Sequence, residues 1–109
     1  MKIGAAAAAS GCHIETIRYY ERIGLLPHPA RSVSGYREYL PEEVDRLRFI
    51  TRGRELGFSL EEIRSLLTLS DDPTLSCRDV DQLARHHLAD VRQRLRELRR
   101  IAQELERTI

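Results

Sequence analysis

From Ala84 to Ile109 the apolar residues Ala84, Leu88, Val91, Leu95, Leu98, Ala102, Leu105 and Ile109 recur at alternating intervals of four and three, with no polar interruption. That 3.5-residue period is the seam of a coiled coil. Ser76 opens the segment as an N-cap with Asp79 three residues on, a capping box that predicts a helix over 76–109. At 1.5 Å per residue such a helix is on the order of 45 Å long. The rest of a 109-residue chain is too small to cover a stripe of that length. The stripe therefore predicts pairing with the same stripe on a second copy, parallel or antiparallel.

The remaining sequence reads as short helices with one extended interruption. Residues 4–9 are alanine-rich and stop near Ser10-Gly11; His13 to Gly24 forms a second helix with Ile14, Ile17 and Tyr20 on one face. Two short helices across a glycine-containing turn make a helix-turn-helix candidate. Gly24 is a natural stop, and Pro27 and Pro29 forbid continuation. Residues 30–40 read as a short hairpin, with Ser34-Gly35 at its turn and Val33, Tyr36 and Tyr39 as β-prone flanks. Pro41-Glu42-Glu43 starts a third helix, with Val44, Leu47, Ile50, Leu56 and Phe58 expected inside. Gly57 ends it, and Ser59 with Glu62 forms the capping box of a fourth helix whose Ile63, Leu66 and Leu67 point inward. The organisation expected is a head over 1–69, a linker over 70–75 and a pairing helix over 76–109.

The chemistry concentrates between Thr16 and Tyr39. Arg18, Tyr19, Tyr20, Arg37 and Tyr39 surround a helix, a proline stop and a glycine turn. Arginine brings charge and a bidentate fork for phosphate or guanine; tyrosine brings a hydroxyl and a flat ring. A helix and hairpin gripping a nucleic-acid backbone is the reading. The net charge of +1 hides it, because the basic residues cluster locally, Arg46, Arg48, Arg52 and Arg54 among them. Glu21 and Arg22 read as solvated or paired. Tyr20 and Tyr36 read equally well as head-core residues, and Tyr39 as the residue that closes the hairpin. Arg52 and Arg54 stand between a second wing around Gly53–Gly57 and a plain charged face.

Other functions find less support. No nucleophile sits beside a base, and there is no glycine-rich phosphate loop or HExxH, so an enzyme is not expected. Glu42-Glu43 and Glu61-Glu62 are explained by helix capping. The alanine-rich start lacks the longer apolar region of a signal peptide, and no apolar run approaches a membrane span. Two cysteines, Cys12 and Cys77, fit a reducing cytoplasm rather than a disulfide scaffold. Cys12 reads as a small packing residue, and His13, His28, His86 and His87 as surface or satisfied groups. Cys77 is placed at the first position of the long helix, where free N–H groups favour a thiolate, a soft metal ligand.

The run Thr16-Ile-Arg-Tyr-Tyr-Glu-Arg-x-Gly-Leu-Leu-Pro, then Gly35-Tyr-Arg-x-Tyr, then Leu56-Gly-Phe-Ser-Leu-x-Glu-Ile63, resembles the mercury-resistance-regulator (MerR) family of bacterial transcription factors along essentially the whole chain. The resemblance implies a mainly α fold: a winged helix-turn-helix head with a small β-hairpin wing, then a long antiparallel coiled-coil dimerisation helix. It implies that the second helix enters the major groove, bringing Thr16, Arg18, Tyr19 and Tyr20 to the DNA. Arg31, Ser32, Gly35, Tyr36, Arg37 and Tyr39 would carry the wing to the backbone, and Arg54 would stand at the second wing. The partners implied are promoter DNA, a second copy of the chain and, through distortion of the promoter, RNA polymerase. A cysteine at the start of the dimer helix marks the sensors of divalent soft ions, so Cys77 is the candidate ligand for cadmium, lead, zinc or mercury; Cys12, Pro29–Ser32 and Ile63–Leu67 resemble the cadmium/lead/zinc branch. The sequence stops at Ile109, where the family pattern continues into a loop bearing further thiolates. The expectation is accordingly an incomplete metal site. The rival expectations are a dimer without a sensor, acting as constitutive repressor or antagonist, and an interaction module with a degenerate head.

Overall fold

The computed structural model describes residues 1–27 and 35–109, and it is mainly helical: α1 (Ile3–Ser10), α2 (Ile14–Arg22), α3 (Pro41–Glu55), α4 (Leu60–Asp71) and α5 (Cys77–Thr108). The chain divides into two compact units, Met1–Arg64 and Ser65–Ile109.

In the first unit, α1 and α2 are joined by the short turn Gly11–His13. Gly11 takes φ +75° and returns its N–H to the Ala7 carbonyl. A side chain there would be strained, so glycine permits the turn to be this tight. The Ser10 hydroxyl accepts from the Cys12 N–H at 3.3 Å, which fixes the chain's entry to α2. α2 buries Ile17, Tyr20 and Glu21, one face at i, i+3, i+4 spacing. Ile14, expected on that face, is exposed in the first turn of α2, where it borders an open cleft with Ala7, Ala8 and Gly11. The core is completed by Ala6, Cys12, Leu25, Leu26, Tyr39, Val44, Leu47, Ile50 and Ile63.

α3 begins with Pro41 at the first turn and the carboxylates of Glu42 and Glu43 at its positive end. Leu56, expected inside, is 67% exposed because α3 ends at Glu55 and Leu56 is its C-cap. Phe58 is half-buried, and Leu66 likewise. Gly53 permits a close approach: a Cβ there would lie 3.2 Å from Cδ1 of Ile63. Side-chain–backbone bonds between Ser59 and Glu62 form the expected capping box of α4.

Three arginines finish helix ends. Arg48 donates to the Ala9 carbonyl at 3.0 Å, Arg64 to Ile23 at 2.8 Å and Arg46 to Leu25 at 2.8 Å. Arg48 and Arg64 satisfy carbonyls that the ends of α1 and α2 leave without intrahelical partners, and Arg46 holds the chain just beyond α2.

The second unit holds the end of α4 and all of α5. α4 runs through Asp71, two residues into the segment read as a linker. Ser76 caps α5 with the full box, its hydroxyl accepting from the Asp79 N–H at 3.1 Å. Ser65 and His87 share a hydrogen bond of 2.9 Å between the two helices. α5 is 32 residues long and none of them is buried.

The hairpin expected over 30–40 falls largely on 28–34, outside the described residues, as do Arg31 and Ser32. The part that is described, 35–40, contains no strand.

Candidate nucleic-acid interface

α2 presents opposite faces to the core and to solvent. Ile17, Tyr20 and Glu21 face in; Arg18, Tyr19 and Arg22 face out. The Arg22 guanidinium stands 5.8 Å from the Tyr19 ring centroid, and Arg18 pairs with Glu15 at 3.4 Å one turn earlier. Both are exposed arrangements that a stronger anion can displace, since surface pairs of this kind contribute little.

Beside this face opens a cleft of about 620 Å³ lined by Lys2, Ile3, Gly4, Ala5, Arg18, Gly35, Tyr36 and Arg37. It gathers three cationic side chains at the start of α1, one each from the approach to α1, from α2 and from the segment after residue 34. Lys2 lies 5.0 Å from the centre of the Tyr36 ring, and Tyr36 is 61% exposed. Of these, the sequence pattern points to Arg18, Gly35, Tyr36 and Arg37 but not to Lys2. Nothing in the local pattern marks Lys2; only the return of the segment after residue 34 toward the amino terminus brings it in. That return is fixed by the Tyr39 N–H donating to the Met1 carbonyl at 2.7 Å.

Three selected residues do other work. Tyr39, expected at the DNA backbone, is buried, and its hydroxyl donates to the Glu21 carboxylate. Burial first, and then the Glu21 carboxylate, hold the Tyr39 phenol well above its usual range. Tyr20 is also a core residue, its phenol raised chiefly by burial. Arg54 is exposed, but its Nη1 donates to the Phe58 carbonyl at 2.9 Å across the end of α3. It shares a small pocket with Thr16, Tyr20 and Cys12. Thr16 itself is half-buried. Cys12 is a buried packing residue whose thiol burial pushes up, against a weaker hydrogen bond from Thr51.

Glu21, read as solvated or paired, is paired. Its side chain is 2% exposed and lies 3.4 Å from the Arg37 guanidinium.

In the second unit Cys77 is the first residue of α5, exposed and free. Soft-metal sites of the zinc type take four donors, or three and an open position. Among the described residues no three His, Cys, Asp or Glu side chains come together to hold an ion. Cys77 therefore fits one corner of a site, not a site. His86 and His87 do not chelate together: His86 faces Asp90 at 3.6 Å and His87 faces Ser65. Along the seam, Leu88, Leu95, Leu98, Leu105 and Ile109 are all exposed, with Ala84 and Ala102; Val91 is half-covered. Among the described residues no helix is long and apolar enough to cross a membrane.

Comparison with known proteins agrees with this arrangement. Residues 1–69 match the family described as MerR HTH family regulatory protein, and residues 44–108 match MerR, DNA binding. The mercuric resistance operon regulatory protein of Bacillus cereus is 45% identical over 92% of this chain and 76% of its own length. Among solved structures, the transcription regulator PbrR691 of Ralstonia metallidurans CH34, in complex with lead(II), is 44% identical. It covers 96% of this chain and 82% of its own, with a TM-score of 0.63. HiNmlR, a MerR family regulator lacking the sensor domain and bound to promoter DNA, superposes with a TM-score of 0.69 at 25% identity over 94% of this chain and 78% of its own. With both family descriptions matched and a head that presents a basic helix face beside a cationic cleft, the chain belongs to the MerR family of helix-turn-helix transcriptional regulators.

Proposed function

We propose that this chain is a homodimeric regulator that binds promoter DNA through the exposed face of α2 and the adjoining cleft. The observation that carries the reading is the convergence of Lys2, Arg18 and Arg37 with Tyr36 in one cleft beside that face. Arg18, with Thr16 and Tyr19, is the candidate for the groove; Lys2, Tyr36, Gly35 and Arg37 are candidates for the phosphates. Two copies joined along the α5 seam read two half-sites of a pseudo-palindrome. By family resemblance the dimer bends and untwists its promoter so that RNA polymerase engages both promoter elements, at a deformation cost of about 1–6 kcal/mol. The mercury and lead regulators among its relatives make a heavy-metal resistance promoter the expected target. The head is read as 1–69 and the dimerisation helix as 76–109, with the cytoplasm as the site of action.

The test is selection of a duplex from a random-sequence library, followed by affinity against salt. Arg18→Ala should lower affinity for the selected duplex and reduce the salt slope by about 0.9, one phosphate's worth of counterion release, or relax sequence preference at one position if Arg18 reads a base. An unchanged affinity and slope would leave the interaction-module reading in its place.

Metal sensing requires donors beyond Cys77. Titration of the chain with cadmium or lead, read by a thiolate charge-transfer band that Cys77→Ser abolishes, supports the sensor. Promoter output that ignores both metals supports the regulator without one.

A further inference from the structure

Glu21 is a buried acid on the recognition helix, and the DNA-binding reading gives it no task. An acidic side chain next to a phosphate-binding surface works against binding, and a buried one must be compensated by partners. Its Oε1 accepts from the Tyr39 hydroxyl. Its Oε2 is buried without a hydrogen bond among the described residues, and the Arg37 guanidinium at 3.4 Å supplies the compensating charge. The positive charge of Arg37 also acts on the Tyr39 phenol, while 32% of the Arg37 side chain remains accessible and lines the cleft with Arg18, Lys2 and Tyr36.

A guanidinium has five donors in a rigid plane. One edge can be held while another faces a ligand. Tyr39 is fixed in turn by its own burial and by its N–H on the Met1 carbonyl. The base of this arrangement is therefore rigid on both sides: α2 beneath and Tyr39 behind.

We propose that Glu21 is a positioning residue for DNA binding: with Tyr39 it holds the Arg37 guanidinium from below and presents its free edge to a DNA phosphate in the cleft. Glu21 touches no DNA. It removes in advance the cost of immobilising a long cationic side chain, and it locks the segment after residue 34 to the recognition helix, so that both contact the duplex in one register. The inference rests on the DNA-binding reading above.

Electrostatics alone and positioning predict opposite signs for the same substitution. If Glu21 were only a negative charge near DNA, Glu21→Gln would tighten binding. If it positions Arg37, Glu21→Gln weakens binding, on the order of tenfold for one side chain no longer immobilised. The experiment is a double-mutant cycle on the full chain, measured by fluorescence anisotropy with the duplex that the wild type selects from a random library. Thermal unfolding of each variant is measured alongside. The expected result is a loss for Glu21→Gln with an unchanged salt slope, because Arg37 keeps its charge. Arg37→Ala loses affinity and about 0.9 of the slope, and Glu21→Gln made on Arg37→Ala costs nothing further. Tighter or unchanged binding by Glu21→Gln, or losses that multiply in the double variant, overturns the proposal. Should Glu21→Gln fail to fold, Arg37→Lys carries the test. It keeps the charge and loses the fork, so affinity must fall with the slope preserved, and an unaltered affinity overturns the proposal. A wild-type chain that selects no duplex would instead remove the DNA-binding reading itself.

Discussion

The two units of this chain solve the problem of apolar surface differently. In Met1–Arg64, short helices bury Ile17, Leu25, Leu26, Leu47, Ile50 and Ile63 almost completely, and arginines from α3 and α4 finish the carbonyl ends of α1 and α2. In Ser65–Ile109, α5 extends for 32 residues with nothing buried, though its apolar residues are as regularly spaced as any in the head. Exposed Leu88, Leu95, Leu98 and Leu105 form one stripe rather than scattered residues. The head closes on itself, whereas the stripe is left open, as expected of a seam that the proposed dimer would close. The same contrast holds for the cysteines: Cys12 is sealed in the head and Cys77 stands open at the start of α5.

The largest expected effect breaks the second half of that contrast. Leu95→Asp places a carboxylate in the middle of the seam. In a paired seam an unpaired buried charge costs about 3–5 kcal/mol per copy. Sedimentation equilibrium should therefore show the proposed dimer for the wild type and monomer for the variant, with the near-ultraviolet tyrosine signal of the head retained. A variant that dimerises as tightly as the wild type would show that another surface pairs the chains. Ile50→Ala attacks the first half. Ile50 is fully buried, and its truncation should cost about 2–5 kcal/mol by lost transfer energy and cavity formation. The head's tyrosine signal should melt earlier while the dimer mass is retained. Loss of both together would mean that the two regions do not stand apart energetically.

What was legible in the sequence was local. The long α5 helix, the capping boxes at Ser59 and Ser76, Pro41 at the start of α3 and Cys77 at the first position of α5 all follow from spacings of a few residues, and the helices lie where those spacings put them. The alternation of Ile17 and Tyr20 with Arg18 and Tyr19 likewise identified the exposed face of α2. What escaped was long-range pairing. Tyr39 reads either as a wing residue at the DNA backbone or as the residue that closes the hairpin; it is buried, with its hydroxyl on Glu21, 18 residues earlier. Lys2 joins Arg37 and Tyr36 only after the chain has returned past α1. Arg46 and Arg48 stand out in the sequence only as part of a local cluster of charge, and nothing local shows that they donate to the carbonyls of Leu25 and Ala9. Leu56 has an apolar identity and a favourable spacing, but the helix stops one residue before it.

Two smaller effects sharpen the comparison at the helix starts. Ser76→Ala removes the side chain that caps α5; it should cost about 1 kcal/mol, read as lower helicity at 222 nm on heating, with the head's transition unmoved. The smallest effect concerns Glu43 in the first turn of α3, where two influences compete. A carboxylate near a helix N-terminus is favourable, but burial raises the Glu43 carboxyl above its ordinary value of 4.5, opposed by a hydrogen bond at the Leu40 backbone and assisted by the negative charges of Glu21 and Glu42. The net direction is upward, so the fold favours the protonated form. A group raised in this way contributes its full stability below the unfolded value, and that contribution is lost as pH rises through the folded value. At neutral pH the ionised Glu43 consequently works against the head. Glu43→Gln should then raise the stability of the head at neutral pH by about 0.5 kcal/mol, and the gain should fade toward nothing at about pH 3, well below the ordinary carboxyl value of 4.5. Paired thermal melts at the two pH values check both the sign and the window. A variant less stable at neutral pH would mean that the helix terminus outweighs burial at this position. The carboxylates of the head would then be arranged as those at the start of α5 are, by the helix end and not by the core.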